Sequence, residues 1–364
     1  MCLAVMKGLQ WLLKRLEWLG KVLLAIIVAV VGYRPSRRAH APLRATTLVS
    51  KRALLVRIDN RVGEALLTTP LVDTLAAQGF EVHVLLHPRA VRVLTGLPTL
   101  RRIWPFSKTW GCLAALRAEA FDVVVNCGNW GAVSVTSAIV ARLVAPRALV
   151  LGPANFPAGW LADLPVTARS DSRSEALQRL HLLSPIVGPK ATARLSFRPV
   201  SRATGRPPGP YIVINPGGRL GFRRVSPRLF AAAALEAQAF GVTPLITWGP
   251  GEEALADEVL ALAPRATRAP PTDLDALAAL MAEAVATISN NTGPMHLAVA
   301  VGSPTLALFL HMDAERWGHA SPPHQMLDVT PLADAPAEAE QLVRSATRKF
   351  LQGLASSRPM TAVE

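Results

Sequence analysis

The stretch "DNRVGEALLTTP", residues 59–70, contains a carboxylate in a position where a ligand could meet it. Gly63 permits a tight turn and the close approach of another group, and Glu64 follows it directly. The stretch comes after an apolar run that predicts a buried strand, and it leads into leucines at helical spacing. Glu64 near the start of that helix could act as a general base, or it could complement the positive end of the helix dipole.

The stretch "SNNTGPMHLA", residues 289–298, has the composition of a capped helix start. Polar residues precede an apolar run, and Pro294 suits the first helical turn. Thr292 and Gly293 offer a hydroxyl and free backbone N–H groups, which are the donors that anions meet at helix N-termini. His296 lies about one turn inside, where it is either a structural hydrogen-bonding residue or a catalyst.

A third polar cluster follows the apolar run "YIVIN", residues 211–215. Gly217 and Gly218 come directly after it, and the backbone amides of such a turn can cradle phosphate. Arg223 and Arg224 follow within a few residues, and guanidinium forks match phosphate oxygens. The cluster therefore indicates either a diphosphate clamp or a solvated basic loop.

Apolar runs alternate with helical patterns along both halves of the chain. Strands are predicted in the segments 52–60, 80–88, 121–128, 147–153, 211–218, 242–264, 274–289 and 300–310. This alternation predicts doubly wound parallel sheets, in which ligands bind beyond the carboxyl ends of the strands. The three polar clusters should therefore face a cleft between two domains.

The composition divides the chain into five parts. Residues 1–45 are basic and apolar, and residues 52–195 carry the first strand–helix series. Residues 196–210 are rich in Pro, Gly and Arg and predict a linker. Residues 211–345 carry the second series, and residues 346–364 are expected to form a C-terminal tail.

Charge is concentrated at the N-terminal end of the chain. The formal net charge is +14, and residues 1–60 hold eleven Lys or Arg against two acids, so 11 − 2 = 9 of the excess charges lie there. A nucleic-acid binder would spread this charge over one surface, so we exclude that class. Basic residues beside Trp and Leu instead indicate contact with an anionic membrane surface.

The uncharged run at residues 22–33 is twelve residues long, short of the ~20 that span a bilayer as a helix. It predicts an anchor that lies in the membrane interface or re-enters it, and a tilted signal-anchor stays as the alternative. Three cysteines form neither a metal spacing nor a disulfide framework, which suits a reducing compartment. Cys2 beside the anchor could be acylated.

Several segments, in this order, resemble glycosyltransferase family 9, the ADP-heptose:lipopolysaccharide heptosyltransferases. They span roughly residues 53–330 and read "RIDNRVGEALLTTPL", "HLLSPIVG", "INPGG…RRVSPRLFAAAA", "WGPGEEALA" and "SNNTGPMHLAVAVGSPTLALF". The resemblance implies an α/β fold of GT-B architecture, with two Rossmann-like doubly wound domains facing a central cleft. The N-terminal membrane-associated helix that the first segment predicts would precede these domains. It also implies inverting transfer of heptose from ADP-heptose to a lipid-linked glycan at the cytoplasmic face of the bacterial inner membrane.

The resemblance assigns the first loop to catalysis and to the acceptor. Family members usually have Gly-Asp where this chain has Gly63 and Glu64, and that Asp is the proposed catalytic base. Glutamate keeps the carboxylate and lengthens its reach by one methylene. Arg61 and Gly63 are implied to lie on the acceptor side.

The resemblance assigns the second half to the nucleotide-sugar donor. Gly217 and Gly218 match the family's phosphate turn, and Arg223 matches a lysine that faces the donor phosphates. Glu253 matches an acidic position that the family uses for the ribose, with Glu252 too close in sequence to exclude.

The last segment completes the donor side. Asn291 stands where family members usually have Asp, while Thr292, Gly293 and His296 match the family directly. An amide cannot neutralise a cation, so we expect no required cofactor and only a weakened role for a divalent metal. Two altered carboxylate positions leave a non-catalytic, membrane-bound nucleotide-sugar binder as the main alternative, and a GT-B nucleotide-sugar epimerase as a weaker one.

Overall fold

The computed structural model describes residues 15–29, 51–131 and 134–357. Cys2 and residues 30–33 of the predicted anchor lie outside these ranges. Residues 15–29 are helical, and no helix in the described ranges is long and apolar enough to cross a membrane.

The first domain contains a parallel six-stranded sheet. Its strand order is β3-β2-β1-β4-β5-β6, which is the order of dinucleotide-binding Rossmann folds. The central strands are apolar and buried, as expected of a sheet covered by helices on both faces. The strands are β1 Arg52–Arg57, β2 Glu81–Leu86, β3 Arg102–Pro105, β4 Val123–Asn126, β5 Leu149–Pro153 and β6 Leu164–Val166.

The second domain repeats this topology with a second parallel sheet. Its order is β12-β11-β10-β7-β8-β9, so β7 and β10 occupy the positions that β1 and β4 hold in the first sheet. The crevice of such a sheet opens between these two strands, where the chain changes direction. The strands are β7 Tyr211–Asn215, β8 Thr243–Ile246, β9 Thr267–Arg268, β10 Ala286–Asn290, β11 Thr305–Phe309 and β12 Gln325–Asp328.

Helices connect the strands on both faces of each sheet, and the predicted doubly wound fold class is confirmed. In the first domain they are α1 Val62–Leu66, α2 Thr69–Ala77, α3 Val91–Leu94, α4 Trp110–Ala118, α5 Val135–Val144, α6 Glu175–His181 and α7 Ser184–Val187. In the second domain they are α8 Pro227–Ala239, α9 Glu253–Leu262, α10 Leu274–Glu283, α11 Gly293–Ala300, α12 Ala314–Trp317 and α13 Pro336–Ser357. Short 3-10 turns cover Pro88–Ala90, Ala158–Leu161, Gly221–Arg223 and Thr330–Leu332.

Successive side chains of β1 and β7 point to opposite faces of their sheets. One face of each sheet contributes to a core that both domains share, and the other face to an outer core of its own domain. Leu55 of β1 and Val213 of β7 belong to one apolar cluster that includes residues of both domains. Leu54 and Ile214, each next in sequence to one of these, face the separate cores on the far sides of the sheets. The two domains are therefore joined by continuous apolar packing as well as by the linker.

The linker, residues 196–210, has neither helix nor strand. Its Ser196 hydroxyl donates to Asp73 of α2 at 2.6 Å, and its Ser201 amide donates to Asp275 of α10 at 2.7 Å. The linker is therefore held by both domains.

The folded C-terminal part is longer than the sequence predicts. The expected boundary at residue 346 falls inside α13, which continues to Ser357. Phe350 and Leu351 lie beyond that boundary and are buried in the outer core of the second domain. This apolar anchoring holds the helix in place where a free tail was expected.

Candidate active site

Glu64 lies in the first turn of α1, close to the carboxyl end of β1. The helix starts after Arg61, and Glu64 is 4% exposed although it is charged. Because a buried carboxylate needs partners, its surroundings decide what it can do.

Three arginines surround the Glu64 carboxylate. Arg57 donates to its Oε2 at 2.6 Å, and Arg179 donates to the same oxygen. Arg61 pairs with the other oxygen, Oε1, at 3.0 Å, while Asn129 lies 3.5 Å from it. The side chain of Arg61 is 45% exposed, whereas those of Arg57 and Arg179 are buried. Oε1 is therefore the oxygen that can become accessible when Arg61 moves.

Arg179 of α6 is fully buried and contacts several residues of the site. It donates to the backbone carbonyl of Glu64 at 2.8 Å and to the Asn129 side chain at 2.9 Å, and it pairs with Glu175 at 3.3 Å. Burial and the neighbouring Arg57 lower the pKa of Arg179. The two carboxylates that it contacts compensate the charge of its guanidinium group.

The ion pairs continue into the second domain. Arg316 of α12 pairs with Glu175 of α6 through its Nε and Nη2, at 3.1 and 3.0 Å. Among the described residues, this network joins four arginines with three carboxylates and so carries one excess positive charge. Its members are Arg57, Asp59, Arg61, Glu64, Glu175, Arg179 and Arg316.

The start of α11 meets the first loop at the domain boundary. A Cβ built on Gly63 would lie 3.6 Å from Cα of Gly293 and 2.8 Å from Cδ2 of His296. Glycine at position 63 therefore allows the His296 ring to come this close. The structure thus brings together the two stretches that the sequence singled out for chemistry.

His296 is buried and forms a hydrogen bond through Nδ1 to Nε2 of His319, at 2.9 Å. Burial lowers the pKa of His296 well below its ordinary value, and His319 and Arg179 lower it further. Burial also lowers the pKa of His319 to about 4, with His324 contributing. His296 and His319 are therefore neutral at physiological pH, and His296 occupies the domain boundary as a hydrogen-bonding group.

Glu252, at the N-terminus of α9, faces the Gly-rich turn. Its carboxylate accepts from the amide of Gly218 at 2.8 Å and from that of Gly249 at 3.2 Å. A Cβ on Gly217 would come within 2.0 Å of Glu252 Oε2, so any other residue there would displace the Glu252 carboxylate. Glu252 therefore lies at the Gly-rich turn, and the role that the resemblance implies for its neighbour Glu253 stays a prediction.

The arginines after this turn have different surroundings. Arg224 folds back and donates through Nε to the carbonyl of Gly218. Arg223 lies in the 3-10 turn Gly221–Arg223 and is exposed, with its guanidinium 5.1 Å from the ring centroid of Phe222. Arg224 therefore shapes the turn, and Arg223 is available to an anionic ligand.

The two adjacent asparagines also have different surroundings. Asn290 is fully buried and accepts from the amide of Val225 at 2.9 Å, while it donates to the carbonyl of Gly217 at 3.2 Å. It joins the end of β10 to the turn after β7. Asn291 is half-buried, and its backbone N–H donates to the backbone carbonyl of Leu308 at 3.2 Å. Thr292 occupies the N-cap position of α11. Its hydroxyl donates to the carbonyl of Asn290 at 3.3 Å, and its methyl group lies beside Gly218.

Sequence reasoning missed most of the partners of Glu64. Arg57 ends an otherwise apolar strand, and Glu175 and Arg179 are spaced by four residues on one helix. A charged residue at the end of a buried strand, and such an i,i+4 pair, were the signals available. Asn129 and His319 had no comparable signal.

No group of three or more His, Cys, Asp or Glu side chains in the described ranges is arranged to hold a metal ion. The expected independence of a divalent cation stays a prediction.

Comparison with known proteins identifies the family. No curated protein sequence shows a significant match to the chain. The profile of glycosyltransferase family 9 (heptosyltransferase) matches residues 111–342, which is more than half of the chain. The chain belongs to glycosyltransferase family 9. It is a glycosyltransferase, as the resemblance predicted, and the match begins beyond Glu64.

Solved structures share the fold of this family 9 enzyme at low sequence identity. A family 9 glycosyltransferase from Veillonella parvula DSM 2008 is 16% identical with a TM-score of 0.69, covering 86% of this chain and 100% of the other. E. coli heptosyltransferase WaaC with ADP is 18% identical with a TM-score of 0.66, covering 84% and 100%. E. coli ADP-heptose lps heptosyltransferase II is 18% identical with a TM-score of 0.65, covering 83% and 99%. The predicted GT-B architecture is confirmed.

Proposed function

We propose that this enzyme transfers heptose, or a related sugar, from ADP-heptose to a lipopolysaccharide-core or other lipid-linked glycan. We place the reaction at the cytoplasmic face of the bacterial inner membrane. Family membership supports the class of reaction. The observation that carries the assignment of the site is the position of the Glu64 carboxylate, one residue from the contact between Gly63 and the start of α11.

In the proposed reaction Glu64 Oε1 accepts the proton of an acceptor hydroxyl. The hydroxyl oxygen attacks the anomeric carbon, the bond from that carbon to the diphosphate oxygen breaks, and the nucleoside diphosphate leaves with the electron pair. The configuration inverts, and no covalent intermediate forms with the protein. Oε2 stays paired with Arg57 and Arg179, which hold the carboxylate in position.

Arg61 is proposed to contact either Glu64 or the acceptor, depending on whether the acceptor is bound. It is half exposed and pairs with Oε1, so it must release that oxygen before a proton can move there. The network around Glu64 has an excess of one positive charge, which favours an acceptor that carries an anionic group. An anion next to the reacting hydroxyl would draw Arg61 away from Glu64 and neutralise the excess charge.

The donor is proposed to lie between the Gly-rich turn and the start of α11. Arg223 is exposed on one side, and Thr292 and Gly293 present a hydroxyl and the amides of a helix start on the other. These groups would stabilise the charge that develops on the leaving diphosphate. The Glu252 carboxylate could accept hydrogen bonds from the ribose hydroxyls in addition to those from the amides of Gly218 and Gly249.

The purified full-length enzyme, incubated with ADP-heptose and a truncated lipopolysaccharide, should give a product that is heavier by one heptose in mass spectrometry. Glu64→Gln should lower kcat by at least about 100-fold, because it removes the proton acceptor. Glu64→Asp should keep part of the activity. Glu315→Gln alters an exposed carboxylate outside the network and serves as the matched control.

Donor binding, measured by thermal shift, separates this proposal from a non-catalytic binder. A binder would be stabilised by ADP-heptose yet form no product with any acceptor. Full activity of a folded Glu64→Gln enzyme would reject Glu64 as the base. Activity that is unchanged by a chelator would agree with the proposed independence of metal.

A further inference from the structure

The helix at residues 15–29 exposes large apolar side chains, unlike an ordinary surface helix. Its buried contacts with the first domain are made by Val22 and Ala25. Six of its large apolar side chains are exposed, by 47% to 60%, and they are Leu16, Trp18, Leu19, Leu23, Leu24 and Ile27. An ordinary surface helix buries its large apolar residues and exposes polar ones. The exposed apolar side chains of this helix would therefore be more stable in contact with an apolar environment than with water.

Four of these residues form one continuous stripe. Leu16, Leu19, Leu23 and Ile27 are separated by three, four and four residues, which is the spacing of neighbours on one helix face. The charged residues Glu17 and Lys21 form an ion pair with each other beside the stripe. Polar groups at the flank of an apolar stripe are typical of a helix lying in a membrane interface.

The globular domain exposes aromatic side chains next to this helix. The 3-10 turn Ala158–Leu161 packs under the helix, because Ala158 and Leu161 share an apolar cluster with Ala25. Trp160, in that turn, is 50% exposed and contacts Phe156, which is 53% exposed, with 5.0 Å between ring centroids. Exposed Trp side chains beside apolar surface are characteristic of proteins at the membrane–water boundary.

An open apolar pocket of about 260 Å³ lies between α4 and α5, next to the helix. Leu143 of α5 lines this pocket and also packs against the cluster beneath the helix. Trp110, at the start of α4, also lines the pocket and is 83% exposed. The apolar surface therefore continues across α5.

We propose that the outer stripe of the helix, with Phe156, Trp160 and Trp110, docks this enzyme into the interface of an anionic bilayer. These residues are called the docking face below. The net charge of +9 in residues 1–60 favours an anionic lipid surface over a second copy of the same chain, which would bring two such regions together.

The docking face is connected to the catalytic site through α5. Ser137 of that helix donates to Asn126 at the end of β4 at 2.8 Å, and Asn129, three residues later, contacts Arg57 and Arg179. If the proposed function is correct, docking would keep the Glu64 region close to an acceptor whose lipid is in the same bilayer. The docking itself does not depend on that reaction.

The test is sedimentation of the full chain with vesicles of phosphatidylethanolamine and phosphatidylglycerol. Leu23→Glu and Ile27→Glu, both at outward positions, should each lower the vesicle partition coefficient by at least about tenfold. Trp160→Ser should lower it about threefold or more. Leu262→Glu changes an exposed apolar residue on α9 and should leave binding unchanged. Circular dichroism and the thermal midpoint confirm that each variant is folded.

Hydrogen exchange of the vesicle-bound wild type adds a measurement that needs no variant. The proposal expects slower exchange in residues 15–29 and 156–161 and no change in α9. The absence of vesicle binding, or binding that none of the three docking-face variants weakens, would overturn the proposal. So would a lipid-free dimer that these variants dissociate, since a second copy would then occupy the face. Because sedimentation needs no sugar, these outcomes are independent of the catalytic assays.

Discussion

His296 of the second domain packs against Gly63 of the first so closely that a Cβ on residue 63 would lie 2.8 Å from the His296 ring. The histidine cannot easily give way, because it is buried and forms a hydrogen bond to His319. This contact fixes the distance between the loop that carries Glu64 and the helix start that we propose faces the donor. The candidate active site is therefore formed by residues of both domains, and the packing between the domains sets its geometry.

We expect Gly63→Ala to destabilise the protein by about 1–3 kcal/mol, because it overpacks this contact. It should also reduce activity, since relief of the clash moves Glu64 away from α11. Gly111→Ala is the matched control: that glycine is in helix α4 with open space around it, so its stability should stay equal or rise by up to about 1 kcal/mol. Urea unfolding measures both, and equal effects would contradict the proposed tight contact.

The buried and exposed arginines should differ strongly in their effect on stability. Arg179→Met removes the buried ion pairs with Glu64 and Glu175 and should cost about 3–5 kcal/mol in the free energy of unfolding. Arg173→Met removes exposed pairs with Asp313 and Glu315 and should cost no more than about 1 kcal/mol. A small loss for Arg179→Met would show that the network is not tightly coupled.

Arg61 should act on the acceptor and leave the fold unchanged. Arg61→Gln removes the partner of Glu64 Oε1 and the proposed contact to an acceptor anion. We expect the KM for an anionic acceptor to rise about tenfold, with kcat held within a few-fold. Arg101→Gln, on a mostly exposed side chain elsewhere, is the control. An unchanged KM would exclude Arg61 from acceptor binding.

Glu252 and Glu253 can be separated by paired variants. Glu252→Gln weakens the acceptor of the Gly218 and Gly249 amides and should raise the donor KM about tenfold. Glu253→Gln should change it by less than about twofold, because the contacts to the Gly218 and Gly249 amides are made by Glu252. Steady-state kinetics with varied donor decide between them, and the reverse ranking would restore the sequence-based assignment.

Stability should fall as the pH falls from about 6.5 to about 4. In this window the unfolded chain protonates His296 and His319 while the folded protein, with lowered pKa values, does not. The unfolded state then binds more protons, so the free energy of unfolding rises with pH by up to about 1.4 kcal/mol per pH unit for each histidine. His319→Gln should flatten this dependence, and exposed His311→Asn should not. Identical slopes would rule out His319 as a source.

Much of the fold could be predicted because its signals are local. Apolar runs such as those of β1 and β7 mark buried strands, and the polar-to-apolar junction before α11 marks a capped helix start. Glu64 and Thr292 could be selected for the same reason. The C-terminal helix was underestimated because the burial of Phe350 depends on packing against distant elements.

The ion-pair network around Glu64 could not be predicted, since Arg179 is 115 residues away in sequence and Arg316, which pairs with Glu175, is in the other domain. Which of Glu252 and Glu253 contacts the Gly-rich turn also needed the structure, because adjacent residues at a helix start point in directions about 100° apart. The sequence by itself determined the two doubly wound domains, because periodicity is written in neighbouring residues, and its resemblance to the family selected the candidate base and the Gly-rich turn. Only the tertiary structure decided which charges surround the base and which faces meet, because long-range packing sets those distances.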